Sequence, residues 1–313
     1  LKVILSALLL IAAPALASQK PKDFDRFWNE TKKELVAIPL SPQLDPDPAN
    51  TDRDVACFKA SYVSLGSVVV HARYCRPTGP GPFPGVLISP WYSESTIRPP
   101  SDLAKKGIAA LWYQGRGYEV DQSSYPVDNS WYILVGLQSP QTYVYRGIVS
   151  HALRGLDFLA SRPEVDAKKL GAMGSSQGGG LSLLAAGLDK RVTAVAADFP
   201  FLNDWVVSMP LAKSPYADVR KYIEEHPGER KSVLKTVSYF DALDVADRIT
   251  VPVLVDVGLK DHTCPPDGIK SVYGRIASRE KHLKEFPEAD HTDQGPQRWQ
   301  GMVDFLAKQL SGP

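Results

Sequence analysis

Six short runs, most of them almost wholly apolar, alternate with stretches of helical periodicity, and this alternation leaves the chain little choice of architecture. The runs lie at 85–89, 108–113, 170–173, 192–197, 253–257 and 282–286. The helical stretches fall near 145–161, 177–187, 266–277 and 298–310. A strand that is apolar along its whole length must be covered on both faces, and helices between successive strands force a parallel order. The expected class is therefore α/β, with a mostly parallel central sheet and helices on both sides.

The segments before the first of these runs add an edge to that core. Residues 21–36 carry Phe24, Phe27, Trp28 and Leu35 at helical spacing. Residues 41–53 are rich in Pro and Asp and read as an extended surface segment. Two β-rich runs, 57–64 and 68–75, flank Gly66 and predict an antiparallel hairpin. If Gly66 centres the turn, Cys57 faces Cys75 at a distance a disulfide can span. Cys264, the third cysteine, reads as a small buried apolar residue.

Residues 117–141 and 200–238 do not fit the alternation; such insertions at strand ends build pockets and interfaces. No linker divides the chain, so residues 18–313 read as one domain. Ahead of them stand Lys2, an apolar run over 3–13, Pro14 and Ala15-Leu16-Ala17. That order describes a secretory signal peptide over 1–17, too short to span a membrane. The expectation is an exported protein, periplasmic or secreted, where a disulfide persists. With 36 basic and 35 acidic residues, nothing points to nucleic acid or to an anionic membrane after cleavage.

The chemistry centres on Gly174-Ser175-Ser176-Gln177-Gly178, between the strand at 170–173 and the following helix. In a G-x-S-x-G elbow the central serine sits on a sharp turn with its hydroxyl raised above the sheet. Glycine is required on both flanks because a Cβ there would collide with the neighbouring element. Ser176 is the centred serine and the expected nucleophile. A serine hydroxyl needs a histidine base steadied by a carboxylate, which this fold supplies in the order Ser, Asp or Glu, His. Asp261 follows the strand at 253–257, and His291 follows the strand at 282–286. His262 adjoins Asp261 and points away from it, His282 falls at the far end of its strand, and Asp290 follows the wrong strand. His71, His151 and His226 read as structural or solvent-facing. The spacing thus predicts a Ser176–His291–Asp261 triad on an α/β-hydrolase fold.

An oxyanion hole needs the N–H after the nucleophile, here Gln177, and a second from the loop after an early strand. Pro90 has no N–H, so Trp91 or Tyr92 must donate, and their rings would wall the site. No zinc-ligand, Walker or dinucleotide motif is present in the sequence, so no cofactor or metal is expected. Gly178-Gly179-Gly180 reads as close helix–sheet packing.

The chain resembles the acetylxylan esterases and cephalosporin-C deacetylases of carbohydrate esterase family 7. The likeness runs through Phe24-Asp25-Arg26-Phe27-Trp28, Tyr145-Arg146-Gly147, the segment from Asp157 to Asp166, and the elbow. It continues through Asp198-Phe199-Pro200-Phe201-Leu202, Tyr239-Phe240-Asp241-Ala242 and the segment from Val257 to Pro266. The resemblance implies hydrolysis of acetyl esters of sugars by Ser176, Asp261 and His291, with the amides of Tyr92 and Gln177 in the oxyanion hole. Pro200 and Phe201 would join Trp91 and Tyr92 in substrate binding, and Arg116 would brace the loops. It also implies a homo-oligomer, a hexameric ring built partly through the 117–141 insertion. Two positions depart from the family: its Arg-Gly-Gln is Arg116-Gly117-Tyr118 here, and its His-Glu is His291-Thr292. The same triad also serves esterases of other small, bulkier or xenobiotic acyl groups and serine peptidases, although no propeller-like repeat of the kind such peptidases often carry is seen in the sequence. A catalytically silent binding homologue is the alternative from another class, against which the intact triad argues.

Overall fold

The computed structural model describes residues 20–92, 97–115, 132–293 and 295–312. The expected signal peptide and most of the 117–141 insertion, including Tyr118, lie outside them. One nine-stranded sheet organises the chain. Its strands are β1 Gln43–Pro46, β2 Val55–Ser64, β3 Val68–Pro77, β4 Phe83–Ile88, β5 Ala109–Tyr113, β6 Val165–Ser175, β7 Val192–Asp198, β8 Val253–Gly258 and β9 Lys281–Phe286. They lie in the order β1-β2-β3-β5-β4-β6-β7-β8-β9. From β5 to β9 every pair is parallel, while β1, β2 and β3 form an antiparallel edge.

The helices are α1 Phe24–Ala37, α2 Ser101–Lys105, α3 Val144–Ala160, α4 Gln177–Leu188, α5 Trp205–Leu211, α6 Tyr216–Glu225, α7 Arg230–Ser238, α8 Leu243–Ala246, α9 Pro266–Arg275 and α10 Pro296–Leu310. Alternate strand residues feed two separate cores, as the period of two requires. Leu87, Leu111, Ala172, Val195 and Val255 pack with α3 and α4. Val86, Ile88, Ala110, Met173 and Ala196 pack with Met302, Val303, Leu306 and Leu310 of α10. This double burial is why the central strands read as apolar runs, whereas β9, at the edge of the sheet, carries Lys, His and Glu and buries none of its residues. The nearly all-apolar α4 follows from the same geometry, since all but one of its residues are buried.

Two sequence expectations need correction. The Pro- and Asp-rich segment at 41–53 does more than run over the surface: Gln43–Pro46 adds a strand to β2, from Gln43 opposite Ser61 to Pro46 opposite Phe58. A proline is tolerated there because β1 is the edge strand and its outer side needs no donor. The irregular-looking stretch at 200–238 is helical, forming α5, α6 and α7. Its prolines sit at helix starts or in short turns (Pro210 excepted, which lies inside α5). The short helix α2 gave no periodic signal, because five residues are too few to show one.

The hairpin register runs from Val55 opposite Pro77 to Ser64 opposite Val68, with Gly66 at φ +75° in the turn. Cys57 therefore stands opposite Cys75, and the two are joined by a disulfide with Cα atoms 4.1 Å apart. Cys264 is free and buried. The link closes a loop across a sequence separation of 18, which constrains the unfolded chain. Replacing both cysteines with alanine is expected to cost about 3 kcal/mol, seen as a lower urea midpoint with little change in slope. An unchanged midpoint in the oxidised protein would count against the linkage.

Candidate active site

Ser176 sits between β6 and α4 with φ +53° and ψ −120°, a conformation that non-glycine residues rarely adopt. Three backbone hydrogen bonds hold it there. Its N–H donates to the carbonyl of Asp198 at 2.8 Å, and its own carbonyl accepts from Phe201 N at 2.8 Å and Gly180 N at 3.1 Å. The flanking glycines are a matter of space. A Cβ on Gly174 would lie 2.5 Å from the backbone of Gly178, and one on Gly178 would lie 2.1 Å from the Ser89 carbonyl oxygen.

The residues expected from three separate strand ends converge on this turn. Ser176 Oγ lies 2.9 Å from His291 Nε2, and His291 Nδ1 lies 2.7 Å from Asp261 Oδ2. An ionised carboxylate only accepts, so Nδ1 carries the proton and donates it to Asp261, leaving Nε2 to accept from the serine. Asp261 is 1% exposed, and its other oxygen accepts from the backbone N–H groups of Thr263 at 2.8 Å and Cys264 at 2.9 Å. Both carboxylate oxygens are thereby engaged, one by the imidazole and the other by two backbone amides. The turn carrying the acid is tied to the loop carrying the base, with Leu259 N donating to Phe286 O at 3.0 Å and Lys260 N to Ala289 O at 3.1 Å.

The other histidines stay away. His262 and His226 are exposed, His71 lies in the hairpin, His151 is buried in α3, and His282 starts β9 against Phe305. Asp290 is exposed and accepts from the N–H of Thr292 at 2.8 Å and from its hydroxyl at 2.7 Å. Thr292, where the resembled family has Glu, thus turns back on its own loop. Ser175 ends β6 and faces a different cleft from the one His291 borders.

Gln177 opens α4, so its N–H points out of the helix beside the serine. Its side chain is buried, and Oε1 accepts from the hydroxyls of Tyr132 and Tyr145, each at 2.7 Å. Burial pushes the Tyr145 hydroxyl well above the usual phenol range, which keeps it a donor. The ring of Tyr92 stacks on Tyr132 with centroids 4.3 Å apart. The two residues expected to supply oxyanion amides are therefore braced through one tyrosine. Sequence reasoning missed Tyr132 and Tyr145, since no local pattern joins these three segments.

Two substrate-side expectations change. Pro200 and Phe201 are buried: the Phe201 ring is 1% exposed and packs on Tyr216 at 4.5 Å, while its N–H holds the Ser176 carbonyl. They support the elbow, because the chain after β7 must come close enough to Ser176 to supply that N–H. Trp91 is 37% exposed and meets Trp112 edge-on at 6.4 Å. Arg116 lies outside the described residues.

A buried arginine, also missed, ties the base loop to the elbow. Arg298 of α10 donates from Nη2 to Asp198 Oδ2 at 2.9 Å and from Nη1 to the Asp293 carbonyl, and its guanidinium lies 3.6 Å over the Phe199 ring. Asp256, beside Asp198 in register, is pushed up to about 7 by burial and then by the Asp198 charge. Among the described residues, Asp261, Cys264 and His291 form the one trio of ligand-type side chains within 4.8 Å. Two of them are already hydrogen-bonded to each other, so the trio is the triad with a buried thiol beside it.

The geometry makes two sharp expectations. Ser176→Ala should lower kcat on p-nitrophenyl acetate by at least ~10³-fold, and Asp261→Asn by about 10⁴-fold through loss of the productive tautomer. Retention of most activity in either would remove that residue from the mechanism. The raised Asp256 carboxyl binds a proton in the folded state up to about 7, whereas the unfolded chain releases it near about 3.9. Stability should therefore fall as pH rises through that window. The urea midpoint is expected to drop between about pH 4 and about pH 7, and Asp256→Asn should shrink the drop. An unaltered drop in the variant would assign the effect elsewhere.

The family described as acetyl xylan esterase (AXE1) matches residues 13–309. Acetyl esterase Axe7A of Xylanibacter ruminicola is 27% identical over 278 residues, covering 85% of this chain, and the chain spans 62% of that protein's length. Among solved structures, an acetyl xylan esterase from a Paenibacillus species superposes with a TM-score of 0.86 at 30% identity, covering 93% of this chain and 96% of its own. An acetyl xylan esterase from a Thermoanaerobacterium species gives a TM-score of 0.82 at 27% identity, covering 94% and 96%. With a fold of the α/β-hydrolase type and a match along nearly its whole length, this chain belongs to the acetyl xylan esterase family.

Proposed function

We propose that this protein is a serine carboxylesterase that removes acetyl groups from sugars, with acetylated xylo-oligosaccharides as the substrate class. The observation that carries the reading is the unbroken hydrogen-bond chain from Ser176 Oγ through His291 to a doubly anchored Asp261. In the first half-reaction His291 Nε2 takes the hydroxyl proton as Ser176 Oγ bonds to the acetyl carbonyl carbon. The amides of Gln177 and Tyr92 receive the negative charge that develops on the carbonyl oxygen. Collapse of this intermediate breaks the bond to the sugar oxygen, which leaves with the proton held by His291. Water then repeats the sequence on the acetyl-enzyme, releasing acetate and restoring the serine.

The acyl preference follows from space. Only 7% of Ser176 is exposed, and the aromatic stack of Tyr92 on Tyr132 is hydrogen-bonded to the side chain of the adjoining Gln177. Such closeness suits an acyl group as small as acetyl. The reading extends to an exported enzyme, supported by the apolar segment before Ala15-Leu16-Ala17 and by the Cys57–Cys75 disulfide, which persists in oxidising compartments. The ring assembly implied by the resemblance is built partly through the 117–141 insertion, most of which lies outside the described residues.

Acetate release from acetylated xylo-oligosaccharides is the direct test, run with wild type and with Ser176→Ala as the blank. Along a series of p-nitrophenyl esters, kcat/KM should fall about tenfold or more from acetate to butyrate, the scale on which an extra methylene is rejected by a filled pocket. A preference for long acyl chains, or no acetate from any acetylated sugar, would overturn the proposal.

A further inference from the structure

A cleft of about 620 Å³ opens beside the elbow and takes no part in the chemistry described above. That volume falls in the range of small-molecule sites, roughly 300–1,000 Å³. Its floor includes Ser175, the residue before the nucleophile, and Asp198, whose carbonyl pins the elbow. One wall, Gly295 to Gln300, begins just after the loop that carries His291. The cleft therefore abuts the reaction centre.

The lining is chemically unusual. Trp91, Trp112 and Trp299, three of the chain's six tryptophans, gather there with Arg98, Asp102 and Gln300. Trp112 and Trp299 stack with centroids 5.2 Å apart, and Trp91 meets Trp112 edge-on. The indole N–H of Trp299 donates to Asp102, and the guanidinium of Arg98 lies 5.0 Å over Trp299 and 5.5 Å over Trp112. These contacts fix the ring planes before any ligand arrives, so little side-chain freedom remains to be lost on binding. Trp91 leaves 37% of its surface open, Trp299 is half-buried, and Arg98 is exposed.

A fixed aromatic surface rimmed by planar polar groups matches one ligand chemistry in particular. A pyranose ring presents C–H groups on its face, which pack on indole, and hydroxyls around its edge, which need donors and acceptors. Charge points the same way. Arg98 and Arg298 are balanced by Asp102 and Asp198, so the lining favours a neutral ligand over an anion or a cation. A fatty acyl chain or a lipid surface would leave the rim charges without water.

We infer that this cleft is a sugar-binding subsite, which holds a neighbouring pyranose of a β-linked xylose chain while the acetylated ring lies at Ser176. The inference rests on the sugar-deacetylase reading and adds to it an explanation of substrate length. Ester chemistry is carried by the triad, and chain recognition by Trp299, Trp91 and Arg98.

The experiment has two arms. In the first, unacetylated xylotetraose is titrated into the wild-type protein while tryptophan fluorescence is followed; a saturable change is expected, and it should weaken about tenfold or more in Trp299→Ala. In the second, kcat/KM is compared for acetylated xylo-oligosaccharides and p-nitrophenyl acetate. Trp299→Ala and Arg98→Ala should depress the oligosaccharide value about tenfold more than the small-ester value, mainly through KM. Arg98 is exposed, so its variant carries the test should Trp299→Ala fail to fold. Equal losses on both substrates, or no saturable response to xylotetraose, would overturn the subsite. If wild type deacetylates no acetylated sugar at all, it is the functional reading that falls, and the two failures are distinct.

Discussion

The strained backbone of Ser176 is the constraint on which the site depends. A non-glycine residue at φ +53° costs of order 1–3 kcal/mol, and it persists only where the surroundings over-determine it. Here the end of β7 supplies an acceptor and the turn after it a donor: the Asp198 carbonyl accepts from the Ser176 N–H, and the Phe201 N–H donates to the Ser176 carbonyl. Each such bond contributes about 1 kcal/mol net, enough together to offset much of the strain. The result is a hydroxyl held at a fixed height above the sheet before substrate arrives.

Around that point the protein uses buried polar groups as ties between segments far apart in sequence. Gln177 receives two tyrosine hydroxyls, Asp261 two backbone amides and an imidazole, and Arg298 joins α10 to β7 and to the His291 loop. An unpaired partner in any of them would leave a polar group stranded in a low-dielectric interior. That penalty makes the loops behave as one unit although they leave the sheet at different strands. It also explains why carboxylates such as Asp198 and Asp256 sit side by side under the elbow: the Arg298 guanidinium reaches one, and burial keeps the other protonated to about 7.

Much of the architecture was legible because it rests on local periodicity. Strands buried on both faces must be apolar throughout, so the parallel core could be read directly, and the Cys57–Cys75 register followed from counting outward from Gly66. The elbow and its later acid and base were legible for a related reason, since a parallel sheet presents its functional side chains on loops after successive strands. The edge strand β1 was not, because Asp and Pro there serve an exposed edge and mimic a loop. The helices over 200–238 were obscured by prolines that punctuate them. Pro200 and Phe201 were substrate contacts by resemblance alone, yet both are buried and Phe201 N–H holds the Ser176 carbonyl, which no local pattern records.

By itself, then, the sequence determined the order of the parallel core strands, the turn that raises Ser176, and the chemical identities of its base and acid, all of which are set by neighbours within a few residues. Only the tertiary structure decided which rings brace the oxyanion side, which arginine ties the base loop down, and which tryptophans gather into a cleft beside the nucleophile. Tyr132, Tyr145 and Gln177, or Trp91, Trp112 and Trp299, come from separate elements with no common spacing. Their meeting is fixed by strand order and by how helices pack across the sheet, and a linear pattern carries no record of either.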